Sequence, residues 1–362
     1  MKKISSLEYN TFIWFIIKSC FAEITFGSII FHIRQDIWIS TLLGIIIGLI
    51  PFYVYEKLKQ KFPSDNYLTL NKKFFKNYSN IINIIMFIGL LIILISIFWI
   101  LVYFTNSLFL PKTSPWIISI ALIIPIGYTS TKDIHIIGKV SLIIFYLSLI
   151  INIIIFIGLL ENVDLNNIKP ILENSPQKIF SSSSMFITLN IAKLFLLTII
   201  SKQEINNYSK KNNVLTYILT CTNIMSTIIL TLCVFGINLT ELYEFPAFQI
   251  LKRVNILGAI DRMENILSLE SIFSNFIQII LIMYFERKII THSFKANKKT
   301  NKYIIILICL FTLILSNSIF ITYETGKKFF EKYLTNIICF TCIIIPTITL
   351  LKSLIYKEQT LQ

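Results

Sequence analysis

The sequence predicts an all-α, polytopic membrane protein, and three observations support this class. Hydrophobic residues make up 55% of the 362 residues, charged residues make up only 14%, and the mean hydropathy is +0.74. The chain divides repeatedly into apolar runs of about 20 residues, the length that a helix needs to cross a bilayer. These runs, such as the one at 81–104, do not alternate apolar and polar residues, so membrane-spanning β-strands are excluded.

Ten helices account for the apolar runs. Helices 1 to 10 are predicted at 11–33, 37–55, 80–107, 115–130, 136–160, 183–201, 213–237, 266–286, 303–322 and 333–355. We expect them to form a single transporter-like membrane domain over residues 1–362. The polar stretch at 238–265 is then an outer loop that lies over the mouth of the protein as a lid.

Lysine and arginine are distributed unequally between the two sides of this arrangement. The termini and every second connection together hold about twice as many of them as the opposite connections do. Because basic residues are enriched on the cytoplasmic side of membrane proteins, both termini are predicted to be cytoplasmic. The net charge of +14 is explained by basic loops that face anionic lipid, so no binding to nucleic acid is expected.

Helix 1 is unusual because Lys18 and Glu23 lie near its middle. A charge at the hydrocarbon midplane costs about 2.5–3.5 kcal/mol on insertion scales, so it normally faces protein or water. Ser19, Cys20 and Ala22 are small enough to let the helix unwind or a partner helix approach closely. Two interpretations remain: a helix whose charges are buried and paired, or a discontinuous helix whose exposed backbone helps to form a ligand site.

Helix 6 is similar to helix 1 in one respect, since Lys193 lies near its middle, after Thr188 and Asn190. If helices 1–5 and 6–10 form two units of opposite orientation, helices 1 and 6 are equivalent. In inverted-repeat transporters these are the discontinuous helices that form the substrate site. Helix 8 adds a polar stripe that includes Asn275 and Gln278, which is typical of a helix packed against protein or lining a permeation path.

We therefore expect a small ligand, such as a zwitterionic amino acid, to bind between helices 1, 6 and 8. The residues predicted to contact it are Lys18, Ser19, Cys20, Ala22, Glu23, Thr188, Asn190, Lys193, Asn275 and Gln278. Three ionisable groups near one midplane also need compensation. Glu23 reaches a lysine across the pocket, or one lysine is uncharged, or Glu23 faces water in an outer vestibule.

Neither a metal site nor an enzyme active site is expected. All six cysteines fall within predicted helices, and Cys339 and Cys342 form a single CxxC pair in an apolar helix, so we interpret the cysteines as packing residues. The three histidines form no cluster. The predicted helices contain no HExxH or GxSxG motif and no paired aspartates, and no cofactor is expected.

Three stretches carry a resemblance to a known family. They are EFPAFQILKRVNILGAIDRMENI at 244–266, QDIWIS at 35–40 and LKQKFPSDNYLTL at 58–70. These stretches resemble the proline-containing outer loop, the tryptophan after the first outer turn and the cytoplasmic step of the GerAB family. That family comprises the B subunits of nutrient germinant receptors in spore-forming bacteria, and the order and spacing match over nearly the whole chain.

The resemblance implies a member of the amino acid, polyamine and organocation transporter superfamily, with a five-plus-five inverted repeat of the LeuT type. It also implies a subunit of the spore inner membrane that binds a nutrient and acts with an A subunit, which has a soluble domain, and a C subunit lipoprotein. The alternative is an ordinary amino acid permease that works by alternating access. Helix 1 reads KSCFAEITFG where relatives tend to have a glycine-rich break, so the ligand is left open.

Overall fold

The fold is built almost entirely from helices. The computed structural model describes residues 3–254, 264–294, 300–320 and 322–359. Within these residues, eight stretches are long and apolar enough to cross a membrane. The first of them, Ser6–Lys61, contains both helix 1 and helix 2, while the shorter apolar helix Pro115–Ser130 is helix 4. The chain is therefore an all-α, polytopic membrane protein.

The described residues form ten helices in the predicted order. Their bounds are Ser6–Lys18, Phe21–Thr25 and Phe26–Ile33 for helix 1; Ile37–Lys61 for helix 2; Ser79–Leu108 for helix 3; Pro115–Ser130 for helix 4; Ile134–Leu159 for helix 5; Pro176–Phe186, Ile187–Ile191 and Ala192–Ile199 for helix 6; Lys210–Leu242 for helix 7; Glu264–Leu267 and Leu269–Phe294 for helix 8; Thr300–Ile319 for helix 9; and Tyr323–Phe329, Phe330–Leu334, Thr335–Ile338, Cys339–Ile344 and Ile345–Gln359 for helix 10. A further helix, Tyr67–Phe75, connects helices 2 and 3.

Helices 1, 6 and 10 begin well before the positions that the apolar pattern predicts, because polar or proline-containing starts extend them beyond the lipid-length run. Helix 1 begins at Ser6, where the Ser5 hydroxyl accepts from the backbone N–H of Glu8 at 3.2 Å and the Glu8 carboxylate accepts from the N–H of Ser5 at 2.7 Å. This reciprocal arrangement is a capping box. Helix 6 begins at Pro176, a residue type that suits the first position of a helix. Helix 10 begins at Tyr323, where the Thr322 hydroxyl accepts from the backbone N–H of Thr325.

Helices 1 and 6 are both irregular near their middles, but in different ways. Helix 1 is interrupted by two residues that are not helical. Helix 6 keeps winding but changes its pitch, from a π-helical turn at Ile187–Ile191 to a 3₁₀-helix at Ala192–Ile199. Such departures from α-helical geometry are frequent at functional sites in membrane helices.

The two ends of the molecule are closed by different contacts, and we call the end that carries the N-terminal strand the inner end. There the strand β1, Ile4–Ser5, pairs in parallel with β2, Ile205–Asn206. At the opposite, outer end, Phe245 and Phe248 pack against Phe104 of helix 3, with ring centroids 5.2 and 6.1 Å apart. These two rings belong to the predicted lid, of which residues 255–263 lie outside the described residues.

Buried charges strengthen the closure of the inner end. The Lys59 ammonium donates to the Tyr9 hydroxyl at 2.7 Å and to the carbonyl of Leu197 at 2.9 Å, which joins helices 1, 2 and 6. The hydroxyl of Tyr208, which lies between helices 6 and 7, donates to the Glu56 carboxylate of helix 2. Burial, and then the negative charge of Glu56, raise the pKa of Tyr208. The Tyr208 hydroxyl therefore remains a donor at physiological pH.

Helices 3 and 10 approach so closely that a glycine is required at position 326. A Cβ atom on Gly326 would lie 1.9–2.4 Å from three atoms of the Trp99 indole ring. We expect Gly326→Ala to destabilise the protein by about 1–3 kcal/mol, because the rigid ring has to move. The measurement is the midpoint temperature of unfolding of the purified protein in detergent.

The matched control is Gly27→Ala, whose Cβ would meet one atom, the carbonyl oxygen of Glu244, at 3.3 Å. It should lower the midpoint temperature less than Gly326→Ala does. Adding Trp99→Phe to Gly326→Ala removes part of the obstructing ring and should recover some of the loss. Equal effects of the two glycine substitutions would contradict this packing.

Candidate functional site

The break in helix 1 lies at the centre of the candidate site. The first helical segment ends at Lys18, and the chain passes through Ser19 and Cys20 before winding resumes at Phe21. Cys20 has a φ of 63°, in the left-handed region that few residues other than glycine adopt. Helix 1 is therefore discontinuous, as one interpretation predicts, and the charge pairing of the other interpretation is also present, since Lys18 forms a salt bridge with Glu270.

Asn275 of helix 8 supplies the hydrogen bonds that the break removes. Its side-chain oxygen accepts from the backbone N–H of Cys20 at 2.9 Å and from the Ser19 hydroxyl at 2.6 Å. Its amide nitrogen donates to a carboxylate oxygen of Glu23 at 2.6 Å. Since Asn275 is fully buried, one amide group both satisfies the irregular backbone and orients the carboxylate.

Helix 6 supplies donors to the carbonyl groups that the break leaves free. The amide of Asn190 donates to the carbonyl of Ile17 at 2.8 Å. The Lys193 ammonium donates to the carbonyl of Ser19 at 3.1 Å and to the side-chain oxygen of Gln278 at 3.2 Å. Helices 1, 6 and 8 are thus joined by direct polar contacts, as expected for the end of an interrupted helix.

We call this group of buried residues the central cluster. Its members are Ser19, Cys20, Glu23, Asn190, Lys193, Asn275 and Gln278. Within the described part of the chain, three of its polar atoms lack a hydrogen-bond partner: Oε2 of Glu23, Oδ1 of Asn190 and Nε2 of Gln278. Unpaired buried polar atoms are uncommon in proteins, so the cluster has unused capacity for a small polar ligand.

Lys18 belongs to a second polar group, which we call the ion-pair cluster. The Lys18 ammonium forms a salt bridge with Glu270 of helix 8 and donates to the side chains of Asn223 at 2.5 Å and Asn152 at 3.2 Å. The Glu270 carboxylate also accepts from the Ser148 hydroxyl and the Asn152 amide, both at 2.7 Å. Helices 1, 5, 7 and 8 therefore meet at one charge pair.

The structure assigns the two charges of helix 1 to different clusters. Lys18 pairs with Glu270, whereas Glu23 bonds to Asn275. One prediction is that Glu23 reaches a lysine across the pocket, but among the described residues Glu23 forms no ion pair with Lys18 or Lys193. The reason is geometric, because the chain changes direction at the break and the two side chains enter different groups of helices.

A cavity of about 740 Å³ lies beside the ion-pair cluster, between helices 1, 5, 7 and 8 and next to residues 247–251 of the predicted lid. Its polar lining includes Lys18, Asn152, Asn223 and Glu270 together with serine and threonine hydroxyls of helices 7 and 8. The rest of its lining is largely apolar and includes Phe21, Phe104, Phe145, Leu149, Leu230 and Phe248. Its volume falls in the range of about 300–1,000 Å³ that is usual for small-molecule pockets.

The ten residues predicted to contact a ligand fall into three places. Lys18 and Ala22 line the cavity beside the ion-pair cluster. Thr188 lines a second cavity of about 400 Å³, which also contacts Lys178 and Glu331. The other seven form the central cluster, so the structure brings most of the predicted site together.

Sequence reasoning left four members of the ion-pair cluster out of the site. They are Ser148, Asn152, Asn223 and Glu270. Ser148 and Asn152 are four residues apart on one face of helix 5, within its largely apolar stretch at 142–159, and this spacing was the available signal. Glu270 adjoins the polar stripe of helix 8, but only the packing of helices 1 and 8 makes it the partner of Lys18.

Comparisons with known proteins agree on family and fold. A family model described as spore germination protein matches residues 8–324. Spore germination protein KB of Bacillus subtilis (strain 168) is 23% identical over 261 residues, which cover 69% of this chain and 68% of that protein.

Among solved structures, a Na⁺-coupled sialic acid symporter in a substrate-bound outward-open state is similar to this chain. The TM-score is 0.58 and the identity is 11%, with 94% of this chain and 79% of the symporter chain covered. At this identity the likeness shows the fold alone, which is the LeuT type that the resemblance implied.

The ion-pair cluster leads to a prediction about buried charge. Lys18→Met leaves the Glu270 carboxylate without its cation, and breaking a buried pair in this way costs about 3–5 kcal/mol. We therefore expect Lys18→Met to lower both the membrane abundance and the unfolding temperature. Combining it with Glu270→Gln should restore most of the loss, because no unpaired charge remains.

The matched control combines Lys18→Met with Glu23→Gln, since Glu23 bonds to Asn275 and not to Lys18. The effects of these two substitutions on stability should add. Recovery in the Glu23→Gln combination, with none in the Glu270→Gln combination, would show that the pairing described here is wrong.

Proposed function

The chain belongs to the family of spore germination proteins, and on that premise we propose that it is the B subunit of a nutrient germinant receptor. In this proposal the chain binds a small germinant, an amino acid, inside its transporter-like core and helps to trigger germination. The family match covers most of the chain, and both family and fold are of the permease type rather than of an enzyme type.

The observation that supports this role best is the charge pair in the wall of the large cavity. An α-amino acid carries a carboxylate and an ammonium group close together. Lys18 can bind the carboxylate and Glu270 the ammonium, while Asn152 and Asn223 can each donate or accept a hydrogen bond. The apolar part of the lining suits the side chain of the amino acid.

Binding at Lys18 would act on the break of helix 1, because Lys18 immediately precedes Ser19. A ligand that separates Lys18 from Glu270 changes the position of helix 1 relative to helix 8. The central cluster connects helices 1 and 8 to helix 6, so a shift of helix 1 relative to helix 8 would also move helix 6. The ligand can shift this equilibrium only by binding one arrangement more tightly than the other.

Direct contact between the ligand and the central cluster stays a prediction. Its three unpaired polar atoms support such contact. Access would require the Lys193 to Gln278 hydrogen bond to open, because the side chains of the cluster now bond to one another. The cavity beside Lys18 would then be the entrance site, and the central cluster would be the site that responds.

We further propose that the chain acts with an A subunit and a C subunit lipoprotein in the spore inner membrane, with both termini in the cytoplasm. The resemblance of the outer loop and of the stretches at 35–40 and 58–70 supports the partners. The name of the Bacillus subtilis relative supports a role in germination. The unequal distribution of basic residues supports the orientation.

The alternative function is an amino acid permease, and its support is the likeness of the fold to that of a symporter. A permease and a receptor both need a site that binds reversibly, but only a permease needs access from both sides of the membrane.

Measurements of amino acid uptake and of assembly with partner subunits therefore distinguish the two functions. We expect the protein to co-purify with A and C subunits, and proteoliposomes that contain it to show no uptake of labelled amino acids. Saturable uptake by protein that binds no partner would favour the permease.

The ligand site can be tested by filling the cavity. Ala22 lines it, so Ala22→Leu adds a branched side chain where the ligand is proposed to bind. We expect the nutrient response of spores to be lost while the abundance of the protein in the membrane is unchanged. The measurement is the rate of germination with a panel of amino acids.

The control for this substitution is Ala121→Leu, the same change on an exposed face of helix 4. It should leave the response intact, because a leucine there contacts lipid. A normal response of the Ala22→Leu spores, at normal protein abundance, would exclude the cavity as the germinant site.

A further inference from the structure

Glu286, in the inner half of helix 8, is a buried acid that neither cluster contains. Its side chain is fully buried. Among the described residues, no hydrogen-bond donor reaches either of its carboxyl oxygens. The other buried acids among the described residues each accept from at least one donor; they are Glu8, Glu23, Asp36, Glu56 and Glu270. An isolated acid in a membrane helix is by default a candidate functional group.

The helices packed around this part of helix 8 supply no cation to Glu286. Helices 3, 4 and 9 contact helix 8. Helices 3 and 4 contain no Asp, Glu, Lys, Arg or His between Ser79 and Leu108 or between Pro115 and Ser130. Helix 9 contributes the thiol of Cys309, which interacts with Glu286, while its Lys302 is exposed at the helix end.

The basic residues that follow Glu286 are committed to other groups. The Arg287 guanidinium donates to the carbonyls of Thr131 at 2.7 Å and Lys132 at 3.1 Å. The Lys288 ammonium lies over the ring of Tyr284, 5.5 Å from its centre. Successive helical residues point in directions about 100° apart, so neither group shares the face of Glu286.

The other helices that contact helix 8 are helices 1, 5 and 6. In the segments that make these contacts, the acidic and basic residues are Glu8, Lys18 and Glu23 of helix 1, His135 and Lys139 of helix 5, and Lys193 of helix 6. Lys18, Glu23 and Lys193 belong to the two clusters, and Glu8 accepts from the backbone N–H of Ser5. None of these residues interacts with Glu286. Among the described residues, burial is the effect that acts on the ionisation of the Glu286 carboxyl group. An ionised carboxylate without a partner inside a membrane protein costs several kcal/mol, and such a group takes up a proton instead.

We propose that Glu286 is a proton-binding site of this core, which carries a proton in the conformation described here and releases it when helix 8 separates from helices 4 and 9. Helices 4 and 9 pack closely along a contact that we call the seam, since a Cβ on Gly127 of helix 4 would lie 2.7 Å from the Cys309 sulfur of helix 9. A movement of helix 8 away from this seam exposes Glu286 to water at the inner end, where the acid ionises.

The direction of the pH effect follows from the protonation state of Glu286 in each conformation. The closed seam holds the neutral acid, so acidic conditions favour the conformation with β1 paired to β2. Alkaline conditions favour the open inner end, which holds the ionised form. If one proton separates the two states, the equilibrium between them changes by up to about tenfold per pH unit.

Infrared spectroscopy tests whether the proton is present. The protein in lipid nanodiscs at neutral pH should show the carbonyl stretching band of protonated carboxyl groups, and Glu286→Gln and Glu286→Leu should each lower its intensity by the contribution of one group. Glu324→Gln, which changes a highly exposed acid at the start of helix 10, is the control and should leave the intensity unchanged. An intensity that is also unchanged in both Glu286 variants would overturn the proposal. If neither variant accumulates, Glu286→Asp keeps an acid and should shift the band, and an unshifted band would be equally decisive against it.

Thiol labelling tests whether the proton is released on opening. Ile205→Cys places a reporter at a buried position of β2, and the parent protein measures the labelling of the natural cysteines. After correction for the ionisation of a free thiol, labelling should rise with pH by up to about tenfold per unit. In the Glu286→Gln background the corrected rate should stay low and independent of pH. The same pH dependence in both backgrounds would mean that Glu286 is not the group that releases the proton. Because Glu286 lies outside the ligand cavity, either result leaves the germinant site to be decided by its own experiment.

Discussion

The interruption of helix 1 inside the membrane is the constraint on which the rest of the site depends. Backbone groups at that depth have no water to bond, so each must find a partner within the protein. Asn275 satisfies the N–H of Cys20, while Asn190 and Lys193 satisfy the carbonyls of Ile17 and Ser19. Helices 6 and 8 are therefore held against helix 1 by the cost of leaving those groups unpaired.

The lysines near the middles of helices 1 and 6 are compensated in different ways, and this difference underlies the different roles that we propose for them. Lys18 pairs with a full negative charge, Glu270, at the edge of a cavity. Lys193 bonds to a carbonyl and an amide oxygen inside a closed cluster. A ligand with charges of its own can compete for Lys18, whereas a change at Lys193 requires helices 1 and 8 to move. The first lysine suits recognition and the second suits response.

Glu286 extends the same reasoning to the inner half of the molecule. Where Lys18 has a carboxylate and Lys193 has carbonyls, Glu286 has no donor among the described residues, and a proton is the partner left to it. Three ionisable groups are thus compensated by three different means along one bundle. If both proposals hold, such a core responds to a charged nutrient at one depth and to acidity at another, without any new element in the fold.

Much of the fold follows from local properties of the sequence. The length of the apolar runs predicts membrane helices, and the mid-span positions of Lys18 and Lys193 single out helices 1 and 6 as irregular. Seven of the ten predicted contact residues indeed form the central cluster. The sequence does not show that Lys18 pairs with Glu270, more than 250 residues away, or that Asn152 and Asn223 join them. The packing of helices 1, 5, 7 and 8 decides this, because a hydrogen bond depends on distances of a few ångströms that only the folded backbone sets. The sequence by itself thus determined that helices 1 and 6 carry charge inside the membrane, and the tertiary structure decided which partner each of these charges has.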